Sequence, residues 1–484
     1  MNVVVDIIIP VHNASKTIED AVISALEQYF PRQLLTDEYT ITVTVCCYDD
    51  GSTDDSFTIL KRLKEDHSRS KKRQVTKMKI PCNLLIASSA GSKGRGAGYA
   101  RNKAIQLHEV ESSDVPSDTL RFLCLLDSDD TMHKHRIAEQ THYMLKSVEP
   151  EMRHRTLLGC TFVRDPPDST WHYSRWANSL SDERLMLERF REVTILQPTW
   201  FLCRSRWSEL GGYVEAPLTG TAAELIEQEE SVNKRCRLIH SEHDDQDSLC
   251  LAEDLRFFHE HLWSDGTLQL HRGKNPLVTY RHVMGQSQSY RTSRKLLLQL
   301  RVLAFERSVL ETDRWRQDGG QFIVWGAGRD GKEFVKTLCP EMRKRVYCFV
   351  DVDSKKLESG SYMNRELNLN IPIIHFSYLV DDIHVRKKIQ KEWEDESVND
   401  EVKGCIDKTK KDDSIPTLEP IKFPESKRRR IAKIPELDLS KMSQSKLERL
   451  PVVVCVAMYR TNGVLERNVK TINRTEGIDL WHFS

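Results

Sequence analysis

Apolar and polar positions divide the chain into short blocks of alternating type. Residues 3–9 are apolar and β-branched except for Asp6, and they end at Pro10, which predicts a buried strand. Ile18, Ala21, Val22, Ala25 and Leu26 recur at helical spacing, so a helix is expected within 17–29. TITVTVCCY at 40–48 reads as a second strand. The loop DDGSTDDS follows, with Ser52, Thr53 and Asp54 placed to cap a helix over FTILKRLK. Residues 66–79 are basic and polar and read as a surface excursion. NLLIAS predicts a third strand, GSKGRGAGYARNKAIQL a glycine-rich loop entering a helix, and LRFLCLLDSDD a fourth strand ending in acids. This alternation argues for a mostly parallel sheet covered by helices.

Further strands are expected at 157–163 and 193–203, a helix at 253–263, extended chain at 267–282 and a long amphipathic helix at 293–312. Residues 217–249 are polar and acidic, and removing them joins GGYVEAP to LAEDLRFF, so they read as an inserted loop. A second strand-loop-helix begins at QFIVWGAGRDGKEFVKTL and leads to the strand RVYCFVDVD. Residues 381–450 hold 17 Lys or Arg and 16 Asp or Glu, a density that predicts a disordered insert. VVVCVAM and a helix at 463–474 close the chain. The expected organisation is one α/β domain over 1–315 and a smaller Rossmann-like α/β domain over 316–380 and 451–484.

Composition narrows the function classes. The 484 residues suggest about three domains as a prior. Lys plus Arg equals Asp plus Glu at 72 each, which argues against a nonspecific nucleic-acid coat protein. Local basic segments remain at 68–79 and 425–430, either solvated loops or contacts to RNA phosphates. No apolar run reaches the roughly 18 residues of a membrane span. The 12 cysteines include no CxxC pair, so a zinc ribbon is not expected and reduced thiols are. Met1 and Asn2 run straight into VVVDIIIP without a basic leader, so the expected compartment is the cytoplasm or nucleus.

Four short motifs carry candidate chemistry, and each also has an ordinary structural explanation. In DSDD at 127–130, Asp127 and Asp129 stand at a strand end, where two carboxylates can share a hard cation such as Mn²⁺ or Mg²⁺. The alternative is a solvated turn with Asp130 capping the next helix. DDGSTD at 49–54 offers acceptors for a base or ribose, or is a capped turn. GRGAGYARN at 94–102 presents helix N–H groups with Arg95 and Arg101 for a phosphate, or packs a helix against the sheet. Glu253 and Asp254 open a helix, as a general base or as dipole partners.

Taken together, the order IPVHN, DDGSTD, GAGYARN, DSDD and a later ED resembles glycosyltransferase family 2, whose fold is GT-A, over residues 3–290. The resemblance implies a nucleotide-sugar-binding, Rossmann-like mixed sheet flanked by helices. It places Pro10, Val11 and His12 against uridine, Asp50 against uracil, and Asp127 and Asp129 on metal and sugar diphosphate. Asp254, with Glu253 beside it, becomes the base of an inverting transfer. Arg101 and His282 are expected near the diphosphate, although His282 also reads as a solvent-facing strand end. Trp200 is either an acceptor wall or core, the latter favoured by its apolar bulk.

GAGRDG at 326–331 follows a strand, opens a helix and has Asp351 twenty residues beyond Gly331, a dinucleotide fingerprint. The second mononucleotide half is not visible in the sequence, so a structural or partner-holding unit is expected rather than a dehydrogenase. The pairing of the transferase pattern with this segment, IPIIHFS and LWHFS resembles the transferases that galactosylate queuosine. That resemblance implies UDP-galactose as donor and queuosine-bearing tRNA as acceptor. Two other functions stay open: N-acetylglucosamine transfer from UDP-N-acetylglucosamine to a glycan or protein, and a non-catalytic nucleotide or dinucleotide sensor.

Overall fold

The apolar run at the N-terminus forms β1 (Asn2–Val11), which lies between β2 (Thr40–Asp49) and β4 (Leu120–Leu125), parallel to both. Val3, Val5, Ile7 and Ile9 pack on one face and Ile8 on the other, so both faces are covered and the buried strand is apolar apart from Asp6. Asp6 is fully buried within it and is held by Arg121 at 3.1 Å, Arg204 at 3.0 Å and His108 Nδ1 at 2.5 Å. A buried carboxylate survives in such a strand only when paired in this way.

The computed structural model describes residues 1–34, 37–70, 78–89, 91–109, 119–215, 251–282, 292–406, 442–456, 461 and 463–483. They divide into two units, Met1–Ala304 and Phe305–Ser484. The remaining strands of the first unit are β3 (Cys82–Ser88), β5 (Thr131–Met132), β6 (Thr156–Cys160), β7 (Phe162–Asp165), β8 (Phe201–Cys203), β9 (Thr267–His271) and β10 (Val278–Arg281). The main sheet has the order β3-β2-β1-β4-β8-β6-β9, and a small sheet has the order β5-β10-β7. Strand β8 runs antiparallel to β4 and β6, so the sheet is mixed. The strand expected over 193–203 is shorter, because Gln197–Thr199, with Pro198, winds into a 3₁₀ turn first. The expected insertion at 217–249 lies outside the described residues.

The second unit contains β11 (Phe322–Trp325), β12 (Val346–Asp351), β13 (Ser361–Asn364), β14 (Leu369–His375), β15 (Val452–Val454) and β16 (Leu480–His482). Their order is β13-β14-β12-β11-β15-β16, with only β13 antiparallel. In chain order the parallel strands run 3-2-1-4-5, a doubly wound arrangement with its switch point between β11 and β15. Two further parallel strands, β15 and β16, thus stand beyond the switch point, where the sequence shows no regular strand pattern. The charged insert delays β15 in the chain but does not prevent its pairing with β11.

The stretch 381–450 is not wholly disordered. Ile383–Ile406 is a helix, and Met442, Leu447 and Leu450 are buried in the core of the second unit. The helix is charged, so periodicity gives no sign of it. It is held instead by Arg386 to Glu448 at 2.7 Å, Trp393 Nε1 to the Val352 carbonyl at 2.8 Å, and Ile389 against the core. Residues 407–441 lie outside the described set. Among the described residues, no helix is long and apolar enough to cross a membrane.

Candidate active site

Parallel strands that end together bring distant residues to one edge. The carboxyl ends of β1, β2 and β4 gather Pro10–His12, Asp49–Asp50 and Asp127–Asp130, the place where open α/β sheets bind ligands.

Asp50 organises the first half of the site. Its Oδ2 accepts the backbone N–H groups of Arg95 and Gly96, both at 2.7 Å, just before the helix Ala97–Gln106. Its Oδ1 is buried without a hydrogen-bond partner. Burial raises the Asp50 carboxyl above its ordinary pKa, opposed by the Gly96 and Arg95 amides. The Asp50 carbonyl accepts from His12 Nδ1 at 2.8 Å. Val11 belongs to the core, so only its backbone faces this edge, whereas Pro10 is half-buried and His12 exposed. Asn13, the last residue of IPVHN, locks the same corner. It sits left-handed at φ 50, and its Oδ1 accepts the Thr53 N–H at 2.8 Å. Asn is one of the few residues that adopt this conformation readily, and that is its sequence signal.

The acidic strand end has three members rather than two. Ligand oxygens of Asp127, Asp129 and Asp130 lie within 4.8 Å of one another. Asp130 does not cap a helix: it is buried, and its Oδ1 accepts the Arg281 N–H at 2.8 Å while Oδ2 has no partner. Lost hydration and the Asp127 charge push Asp129 up to about 6, and burial with both neighbours raises Asp130. An orphaned buried oxygen among crowded carboxylates fits a hard divalent cation, which takes oxygen ligands. Asp127, Asp129 and Asp130 are the residues that would hold it. His282 is half-buried beside Arg281, and its N–H donates to the Asp165 carbonyl at 2.8 Å.

Arg101, expected near the diphosphate, lies against the acids themselves. It is buried, and it donates Nη2 to Asp127 Oδ1 and Nη1 to Glu253 Oε1, each at 2.7 Å. The guanidinium thus ties the acidic strand end to the helix Glu253–Trp263. Ala252, immediately before that helix, is left-handed at φ 50. Asp254 Oδ1 accepts the adjacent Leu255 N–H at 2.7 Å. Burial and the Glu253 charge raise Asp254 to about 6. Trp200 is fully buried against Phe257 and Phe258, with its indole N–H on the Ile195 carbonyl at 2.8 Å, so it is core.

Gly98 makes the approach of the two helices feasible. A Cβ there would lie 2.5 Å from the Val214 carbonyl oxygen and 3.3 Å from Glu253 Cβ. Gly98→Ala is expected to cost about 1–3 kcal/mol, as overpacking does, and to displace Glu253. Denaturant melts together with turnover would check it. Unchanged stability and rate would refute the close packing.

In the second unit, Gly326 turns at φ 108, and a Cβ on Gly331 would lie 1.9 Å from the Gly326 carbonyl oxygen, so the glycines of GAGRDG serve a tight turn and close packing. Asp351 is fully engaged by protein donors. Its Oδ2 accepts from Ala327 N–H at 2.7 Å and Lys356 Nζ at 3.0 Å, and its Oδ1 from the Val352 and Asp353 N–H groups.

The mixed sheet thus gathers at one edge an aspartate cluster that can hold a metal and, on a neighbouring helix, a raised carboxyl. Residues 6–211 match the profile described as Glycosyl transferase family 2. The first unit is thus similar to family 2 glycosyltransferases over these residues, and the protein is a glycosyltransferase. Among solved structures, the chain is similar to residues 1–349 of S. aureus TarS in complex with UDP-GlcNAc. That alignment has 17% identity and a TM-score of 0.37, and covers 64% of this chain and 68% of that one. It is also similar to the mannosyltransferase PcManGT from Pyrobaculum calidifontis in complex with GDP-Man and Mn2+. There the identity is 14%, the TM-score 0.35, and the coverage 64% of each chain.

Proposed function

We propose that the protein transfers a hexose from a UDP-sugar to an acceptor hydroxyl with inversion, and that Asp254 is the general base. Asp254 removes the hydroxyl proton as that oxygen bonds to the anomeric carbon. The bond from that carbon to the UDP oxygen breaks, and UDP leaves with the electron pair. Asp50 and the Pro10–His12 corner hold uridine, the unpartnered Asp50 Oδ1 being the acceptor for the uracil N–H. A Mn²⁺ or Mg²⁺ held by Asp127, Asp129 and Asp130 would supply charge neutralisation at the diphosphate. Arg101 positions Glu253 and Asp127, and His282 lies near the diphosphate end. The observation that carries this reading is the Arg101 bridge, at 2.7 Å on each side, between the acidic strand end and the helix that bears the base.

The donor is UDP-galactose and the acceptor is queuosine in tRNA, on the sequence's resemblance to beta-1,3-N-acetylglucosaminyltransferase-like protein 1, also described as queuosine-tRNA galactosyltransferase. Incubation with Mn²⁺ and radiolabelled UDP-galactose, using tRNA with and without queuosine, tests it. Label confined to queuosine-bearing tRNA is expected. Labelling from UDP-N-acetylglucosamine alone, or of a glycan instead, would overturn the donor or the acceptor assignment.

The raised carboxyl adds a pH prediction. A base must be deprotonated to act, so kcat is expected to rise with pH through about 6 and then level, following Asp254. A profile flat from pH 5 to 8 in turnover assays would remove Asp254 from the rate-limiting proton transfer.

A further inference from the structure

Away from the acidic edge, the first unit carries a cleft of about 950 Å³ between Tyr29–Leu34, the helix Arg136–Lys146 and the segment after β9. Its wall holds three exposed cations, Arg32, Lys134 and Lys274, and among the described residues none of them has an ion-pair partner. Its one carboxylate, Glu139, is already bonded to His271 Nε2 at 2.9 Å. The rest of the lining is rich in rings. Tyr143 stands edge-on to His271 at 5.5 Å, and His135 Nδ1 is fixed by the Tyr29 carbonyl at 2.9 Å.

Unpaired cations beside fixed planar rings are the two elements that hold a single-stranded polynucleotide. Lys and Arg neutralise the phosphates, and rings stack on bases. A small-molecule anion would need the cations but not the rings, and an acidic peptide would make no use of them either. We propose that this cleft binds a single-stranded RNA segment, with its phosphates on Arg32, Lys134 and Lys274 and a base against Tyr143 or Tyr29.

The cleft connects to the catalytic edge through β5 and β10, which pair antiparallel. At one end of that ribbon Asp130 accepts from the Arg281 N–H, and at the other the His133 N–H donates to the Leu277 carbonyl at 2.9 Å, with Lys134 next in the chain. Lys134 is four positions along the chain from Asp130, a span of at most about 14 Å. An RNA held in the cleft therefore lies within a short distance of the transferase acids. The inference stands on the cleft alone and does not depend on the queuosine assignment.

The test is fluorescence anisotropy of the full-length protein with a labelled short single-stranded RNA across a salt series, with the same sequence as a duplex in parallel. The comparison is a triple variant, Arg32→Ala with Lys134→Ala and Lys274→Ala, whose sites are exposed and leave the core untouched. Wild type is expected to prefer the single strand. The variant should bind weakly, with a slope of log K against log salt shallower by about 2, from three lost phosphate contacts at roughly 0.7 each. Hydrolysis of UDP-sugar by the variant should remain at the wild-type rate. Equal binding and equal slope for wild type and variant would overturn the proposal, as would a preference for the duplex. RNA binding without any transfer to tRNA would uphold the cleft and reject the acceptor assignment. Transfer to tRNA that is indifferent to the triple variant would do the reverse.

Discussion

Asp254→Asn is expected to lower kcat by about 10²–10⁴-fold while leaving UDP-sugar affinity within a few-fold of wild type, the usual loss for a removed general base. The amide has nearly the same shape but cannot take a proton. Asp254 Oδ1 accepts the neighbouring Leu255 N–H at 2.7 Å, and its charged form is disfavoured by burial and by Glu253. The variant should therefore fold normally and melt no lower than wild type. Single-turnover rates at saturating donor, with calorimetric donor binding and a thermal melt alongside, separate the outcomes. Near-wild-type turnover in a folded Asp254→Asn protein would dismiss Asp254 as the base. A parallel loss of donor affinity would move it to the donor pocket.

Glu253→Gln makes a useful contrast. Glu253 is bonded to Arg101, so its neutralisation weakens a clamp rather than removing a proton acceptor. It should cost stability as well as rate, and the pH profile should keep its rise.

The legibility of the site follows from how far each contact lies along the chain. The motifs at strand ends were readable because each is local: DDGSTD after β2 and DSDD after β4 are short strings at the place where a doubly wound sheet binds ligands. Trp200 is core, as its large apolar ring predicts. The two ion pairs of Arg101 are not legible in the sequence. A basic residue in a helix-opening glycine loop suggests phosphate, and only the fold brings Glu253, 152 positions later, within 2.7 Å of it. The role of Asp130 is hidden for a similar reason. Its partner, the Arg281 N–H, is 151 positions away and is delivered by the β5–β10 pairing. The second unit repeats the lesson at the scale of topology. The strand pattern stops at IPIIHFS and resumes after the charged insert, so the 3-2-1-4-5 order becomes visible only when β15 is seen beside β11. The helix Ile383–Ile406 lacks an apolar stripe and is held by specific polar contacts, which periodicity does not register.

Arg101→Met is expected to be the most damaging single change to the folded state. The side chain is almost completely buried and neutralises two carboxylates at once, at 2.7 Å each. Removing one partner of a buried charge pair leaves the others uncompensated, at a typical cost of about 3–5 kcal/mol. Arg101→Lys retains the charge, but a single ammonium on a flexible stem cannot reproduce the planar fork across both acids, so an intermediate loss is expected. A purely structural role would lower stability and leave the chemistry of the surviving folded fraction unchanged. A positioning role predicts more. Arg101 is one of the charges that hold the Asp254 carboxyl down, so its loss should move the rise of the kcat profile to higher pH. In a double-mutant cycle, Arg101→Met with Glu253→Gln should be less destabilised than the sum of the single changes, because the second substitution removes a charge that the first left unpaired. Additive effects, with a pH profile unchanged in Arg101→Met, would mean that the bridge holds the fold together without tuning the base.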